Sequence, residues 1–186
     1  MNCIHTKFDG VFIIEPQVFK DNRGYFMECY VREKFHSLGI AADFVQDNHS
    51  LSLEKGTVRG MHYQLHPKAQ SKLVRVVRGE ILNVIVDIRR GSPTFGQWLN
   101  VNLSADDKRQ LFIPRGFANG YCTLQPQTEV CYKVDEYYAP AFERAFRWND
   151  PQLAIDWPVT EPVLSERDSK APLFADAEIN FEYEAM

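Results

Sequence analysis

The sequence predicts a mainly β protein, a sandwich or barrel with a few short peripheral helices. Three observations carry this. The apolar runs are short, rich in β-branched and aromatic residues, and regularly broken by turn residues. Helical periodicity is confined to two brief stretches. The 186 residues amount to about one domain, and 45% hydrophobic with 13% aromatic content suits one β-rich core.

The runs follow one another along the chain. Val11-Phe12-Ile13-Ile14 ends at Glu15-Pro16, and Gly24 to Tyr30 follows the turn-like Asp21-Asn22-Arg23. Val31 to Leu38 reads as a short helix with Phe35 and Leu38 on one face, and Gly39 stands where a C′ glycine belongs. Then come Phe44-Val45-Gln46, Lys72 to Val77 and Glu80 to Ile88. Arg78-Gly79-Glu80 between the last two reads as a tight hairpin. Trp98 to Leu103, Gln110 to Ile113, Gly120 to Leu124 and Glu129 to Val134 complete the set. A second helix is expected to begin near Ser165 and to end before Pro172. The proline-rich stretch 140–162 is too apolar for a linker, with Phe142, Phe146, Trp148, Leu153, Ile155 and Trp157, and reads as a packed tail. The expected organisation is one domain over 1–186: an N-terminal arm over about 1–50, a barrel core over about 51–138, and a wrapping tail over about 139–186.

Charge and composition exclude several functions. Lys plus Arg number 21 against 25 Asp plus Glu, a formal net charge of −4. That lacks the basic surplus of a nucleic-acid binder, and no apolar run approaches the ~18 residues of a spanning helix. Neither nucleic acid nor membrane is therefore expected as a partner. The start, Met1 to Lys7, lacks the pattern of a secretory signal. Cys3, Cys29, Cys122 and Cys131 show no CxxC spacing and are expected to be reduced thiols, which points to the cytoplasm.

Four groups of residues invite chemistry. Arg59-Gly60-Met61-His62-Tyr63-Gln64, with Lys72 beyond it, places a His near two cations. Such a His gives up its proton more readily and suits a general base, while Arg and Lys suit a developing oxyanion. The competing reading is a surface His in a basic hairpin. Tyr132, Tyr137 and Tyr138 supply either core rings, a proton carrier or a stacking face. Asp168 is either a helix N-terminal acid or a carboxylate that fixes the His62 tautomer. Phe44 through Ser50 carries Gln46 and Asn48, amides able to read a base edge, and Arg23 and Glu28 lie upstream. The alternative is a polar turn. No Gly-x-Gly-x-x-Gly fingerprint is present, so no dinucleotide is expected.

Ile113-Pro114-Arg115-Gly116-Phe117-Ala118-Asn119-Gly120, a Pro-x-Gly turn after an apolar strand, resembles the second motif of the cupin barrels. The first motif normally offers His-x-His, and here it reads His62-Tyr63-Gln64. With one imidazole there, and Asn119 where a His usually stands, the resemblance implies a cupin-like jelly-roll barrel with no catalytic metal.

Asp21 through Glu28, Phe44 through Ser50, Arg59 through Gln64, Val86 through Arg89, Ser92 through Trp98, Ile113 through Gly120 and Trp148 through Pro151 together resemble the dTDP-4-dehydrorhamnose 3,5-epimerases. The resemblance runs from about Phe8 to about Pro172. It implies His62 as the base, Asp168 as its dyad partner and Tyr132 as the acid on the opposite face. It implies Arg59 and Lys72 as substrate and enolate holders, Gln46 and Asn48 as thymine contacts, and Tyr137 as a stacking ring. Arg23 and Glu28 match an arm that reaches a neighbouring subunit's site. A homodimer, a dTDP-linked keto sugar as substrate and no cofactor are implied with them. Two positions depart from the pattern: Asn83 stands for the usual Asp and Asn119 for the usual His. Both exchange an ionisable group for an amide, so an altered sugar subsite is expected. Inversion at C3 and C5 is the leading reading. A single-site epimerase or ketoisomerase comes second, and a non-catalytic sugar-nucleotide binder third.

Overall fold

A computed structural model describes residues 1–184. The strands, in chain order, are β1 (Asn2–His5), β2 (Phe12–Glu15), β3 (Val18–Asp21), β4 (Gly24–Met27), β5 (Gln46–Ser52), β6 (Val58–Gln64), β7 (Lys72–Arg78), β8 (Glu80–Asp87), β9 (Trp98–Ser104), β10 (Gln110–Ile113), β11 (Phe117–Thr123), β12 (Thr128–Val134) and β13 (Glu143–Ala145). The helices are α1 (Arg32–Ser37) and α2 (Glu166–Ser169). Among the described residues no helix is long and apolar enough to cross a membrane.

Two antiparallel sheets form a jelly-roll barrel. One runs β1-β2-β10-β7-β12-β5, the other β13-β6-β11-β8-β9, and β3 with β4 makes a separate hairpin. Strand alternation sorts the side chains. Val74, Val76, Leu111 and Val130 of the first sheet meet Ile81, Ile85, Leu103 and Phe117 of the second in the core between them. The opposite parity of the second sheet, Val84, Val86, Ala118 and Cys122, faces outward and packs under Phe146, Trp148, Leu153, Ile155 and Trp157. The proline-rich tail is therefore buried structure. The outer face of the first sheet, with Ile14, Leu73 and Phe112, is covered by Phe35 of α1 and by Ile40. Gly39 ends α1 at φ +83°, and its N–H donates to the His36 carbonyl.

Three expectations change. The arm does not extend over 1–50, because β1, β2 and β5 are strands of the six-stranded sheet. Ile14 is fully buried there, so the apolar run at Val11 belongs to the barrel. Arg78-Gly79-Glu80 is a tight turn, but β7 and β8 lie in different sheets, so the chain crosses the barrel there instead of closing a hairpin. Gly79 has φ +80°, and an added Cβ would lie 2.4 Å from the Thr128 hydroxyl, which leaves glycine the one residue that fits the corner. The polar string at 46–52 is strand β5 and not a turn, because β12 supplies a full antiparallel ladder to it. The four cysteines are free.

Candidate active site

The site opens between the two sheets, in a cavity of about 480 Å³, within the usual range for small-molecule pockets. The sheet of β6 and β11 supplies Arg59, His62, Asn119 and Tyr121, and the opposing sheet supplies Ser50, Lys72 and Tyr132. Glu143 from β13 and Arg167 and Asp168 from α2 close the remaining side.

Arg59 and His62 are three residues apart, so in a regular strand they would face opposite sides. A β-bulge resets the parity. His62 pairs with Asn119 and Arg59 with Tyr121, so Gly60 and Met61 on β6 oppose Gly120 alone on β11. All four flanking side chains consequently line one cavity, while Met61 is driven into the core behind the sheet. The strands approach closely here. A Cβ on Gly60 would sit 2.5 Å from the Gly120 Cα.

His62 Nε2 lies 2.6 Å from Asp168 Oδ1. The chain brings them together by ending its tail in α2, where the Ser165 hydroxyl caps the helix by accepting from the Asp168 N–H at 3.1 Å. Burial pushes the Asp168 carboxyl up, but the hydrogen bond and charge of His62 more than offset it, and the carboxyl lies below its usual range. Asp168 thus accepts from Nε2–H, and Nδ1, with no hydrogen bond among the described residues, is left to take a proton.

Lys72 crosses from the facing sheet and donates to the His62 carbonyl at 3.3 Å. Burial pushes its ammonium down to about 8, with Glu143 pulling the other way. Arg59 is held by Ser52 Oγ at 3.2 Å and the Leu51 carbonyl at 3.1 Å. Tyr132 is raised by burial first, then by Tyr121 and Glu143. Its hydroxyl has no hydrogen-bond partner among the described residues, and it stands on the sheet opposite His62.

The two departing amides meet. Asn119 Nδ2 donates to Asn83 Oδ1 at 2.7 Å and to the Val84 carbonyl at 3.0 Å. Asn119 lines the cavity, and Asn83 lies fully buried behind it with its Nδ2 unpartnered.

Other expected residues lie beside the cavity or away from it. Gln46 and Asn48 share the face of β5 with Ser50, and Gln46 Nε2 donates to Asn48 Oδ1 at 2.8 Å. Tyr137 is exposed, and the backbone N–H of the following Tyr138 donates to Gln46 Oε1 at 3.0 Å. Arg23 is bound to Asp21 on the β3–β4 hairpin and Glu28 to Lys34, and neither lines this chain's cavity. Sequence reasoning missed Glu143, which accepts from the Tyr138 hydroxyl at 2.6 Å and from Arg167 at 2.5 Å. Burial raises that carboxyl, but Tyr138 and Arg167 more than offset it. No local pattern marks Glu143, since only the pairing of β13 with β6 brings it to the site. Among the described residues no three His, Cys, Asp or Glu side chains converge as metal ligands would.

A cupin-like barrel that gathers a His–carboxylate pair, two cations and a tyrosine around one cavity has the side chains of an acid–base enzyme site, as an isomerase would use. Comparison with known proteins narrows the class. A family model described as dTDP-4-dehydrorhamnose 3,5-epimerase matches residues 5–176. The dTDP-4-dehydrorhamnose 3,5-epimerase of Shigella flexneri is 51% identical over 179 residues, 96% of this chain and 98% of the relative. The crystal structure of the Legionella pneumophila 3,5-epimerase in complex with dTDP-4-keto-L-rhamnose is 48% identical, with a TM-score of 0.93 over 99% of both chains. A dTDP-4-dehydrorhamnose 3-epimerase from Streptomyces niveus is 38% identical over 170 residues, 91% of this chain and 82% of the relative. The chain belongs to the dTDP-4-dehydrorhamnose 3,5-epimerase family, and it is an epimerase.

Proposed function

We propose that the protein inverts C3 and C5 of dTDP-4-dehydro-6-deoxyglucose to give dTDP-4-dehydrorhamnose. The 4-keto group makes the protons at C3 and C5 removable, because the resulting carbanion delocalises onto oxygen. His62 Nδ1 takes the proton from carbon. The C–H electron pair forms the enolate C=C, and the carbonyl π pair moves to O4. Lys72 and Arg59 offset the charge on O4. Tyr132 returns a proton to the opposite face, and the configuration inverts. Neither step moves electrons to or from a redox partner, so the reading needs no cofactor.

The single observation that carries this is the placement of base and acid on opposing sheets of one cavity, with His62 on β6 and Tyr132 on β12. A sugar ring held between them presents one face to each. Gln46, Asn48 and Tyr137 at the rim suit the thymine. The β3–β4 hairpin exposes Phe19, Tyr25 and Phe26 and carries Arg23, which does not line this chain's cavity. That arrangement suits a homodimer in which the hairpin, with Arg23 and Glu28, reaches a partner's site.

The test is NMR of dTDP-4-dehydro-6-deoxyglucose incubated with the protein in D₂O. Deuterium at both C3 and C5 is expected, with rhamno product once a reductase is coupled. Deuterium at one carbon alone makes the protein a single-site epimerase, the reading that Asn83 and Asn119 favour. No exchange at either carbon overturns the substrate assignment.

A further inference from the structure

Helix α2, which carries Asp168, is a single turn whose one buried residue is Asp168 itself. No apolar side chain of the helix anchors it. Backbone bonds tie the chain down before it, where Val163 pairs with Gly56 and Val58, and after it, where the Pro172 carbonyl accepts from Arg147 N–H. Between those ties the Ser165 cap is internal to the helix and does not locate it in the barrel. Beyond Leu164, which packs against the core just before the helix, and a Gly60 backbone N–H that reaches the Asp168 carboxylate, two side-chain links to the barrel remain. One is His62–Asp168, whose own charge changes each time His62 takes up a proton. The other is Arg167 to Glu143 Oε2, at 2.5 Å.

Glu143 is well placed to act as a fixed reference. It lies on β13, which pairs with β6 so that Ala145 stands opposite His62 and Glu143 opposite Gln64. The Tyr138 hydroxyl donates to the same Oε2 at 2.6 Å and holds the carboxylate in orientation. A closed loop results: His62, the β6–β13 ladder, Glu143, Arg167, Asp168, and back to His62.

We propose that Glu143 is a positioning residue for the His62–Asp168 dyad, holding through Arg167 the turn that carries Asp168 while the imidazole changes charge. This rests on the reading of His62 as the base. A seat error of about 1 Å at such a pair costs on the order of 10²-fold in rate.

The test is a double-mutant cycle of Glu143→Gln and Arg167→Met, with Arg167→Lys as rescue. Two readouts are taken on the whole protein: the low-field proton signal shared by His62 and Asp168 in the resting state, and kcat and KM for substrate C–H exchange. Each single variant is expected to move or broaden the proton signal and to lower kcat about 10–100-fold, with KM within about threefold. The double variant should be no worse than the poorer single one, and Arg167→Lys should recover most of the loss. Arg167 is half-exposed, so its variants keep the proposal testable if Glu143→Gln fails to fold. Multiplying losses in the double variant, an unmoved proton signal, or a KM effect at unchanged kcat would overturn it in favour of direct substrate contact. The proton signal needs no turnover, so a wrong substrate assignment leaves this arm readable.

Discussion

Asn119 Nδ2 donates to Asn83 Oδ1 at 2.7 Å and to the Val84 carbonyl at 3.0 Å, with the Gly120 carbonyl a longer third acceptor at 3.4 Å, so its two hydrogens are taken up by the protein. The amide is thereby locked in one orientation, with Oδ1 left as the acceptor for a ligand in the cavity that Asn119 lines. The pair holds no charge at any pH. Its cost is the buried Asn83 Nδ2, which finds no partner, a penalty on the order of 1–3 kcal/mol. Installing Asn83→Asp with Asn119→His restores an acid and an imidazole at the same contact. The double variant is expected to change the ratio of deuterium entering C3 and C5, or the 4-keto sugar accepted, as read by NMR in D₂O. If ratio and substrate range both stay the same, the two amides do not set the sugar subsite.

Base and acid separate by experiment. His62→Asn removes the proton acceptor and is expected to abolish exchange at both carbons, a loss of at least about 10³-fold. Tyr132→Phe keeps the ring and loses the hydroxyl, so proton abstraction should survive better than inversion. The check is the ratio of washed-in deuterium to inverted product. Equal exchange in wild type and His62→Asn would refute the base assignment.

Lys72 links activity to stability with opposite signs. Its ammonium is pushed from 10.5 down to about 8 by burial, so the folded state binds fewer protons than the unfolded chain between those values. Stability contributed at this site therefore rises with pH from about 8 to 10.5 and is lowest below 8, where a charge is kept in a part-buried place. Lys72→Met is expected to raise unfolding free energy at pH 7 by about 1–3 kcal/mol, discounted for partial exposure. The same change should cut exchange about 10²–10³-fold by removing the enolate partner. Wild-type exchange should itself fall as pH passes about 8. Denaturant unfolding at pH 7 and pH 9 checks the sign, and a variant less stable than wild type at pH 7 refutes it.

The parts of this architecture that are legible in the sequence are those governed by local rules. Apolar runs became strands because period-2 burial acts residue by residue, as in β7, where Val74 and Val76 face in and Leu73 faces out. α1 and its Gly39 cap are equally local. The sheet change at Gly79 is not legible, because a tight glycine turn serves a hairpin and a barrel corner alike. β5 was hidden by its polar residues, which a strand tolerates when one face borders a cavity and the other solvent. At the site, family motifs marked His62, Tyr132 and Asp168, and the structure gathers all three around one cavity. Glu143 was invisible, since its place depends on a pairing between distant segments.

Gly60 makes the bulge possible, and its replacement tests how much of the site depends on the bulge. The residue has φ +144°, and an added Cβ would lie 2.5 Å from the Gly120 Cα and 3.2 Å from the Asn119 carbonyl oxygen. Both contacts are backbone on the neighbouring strand, so relief requires β6 and β11 to separate just where His62 pairs with Asn119 and Arg59 with Tyr121. Gly39 offers the control: it has φ +83° but nothing within 4 Å of an added Cβ, so Gly39→Ala reports the dihedral cost alone. That cost should be about 1 kcal/mol, with exchange unaffected. Gly60→Ala adds the steric term and should lose about 2–4 kcal/mol, with thermal unfolding lowered by roughly 5–15 °C. Exchange should fall with it, measured well below the unfolding temperature so that lost fold is not counted as lost chemistry. Equal losses from the two substitutions would mean that the strands part without cost, and that the bulge does not set the facing of Arg59 and His62.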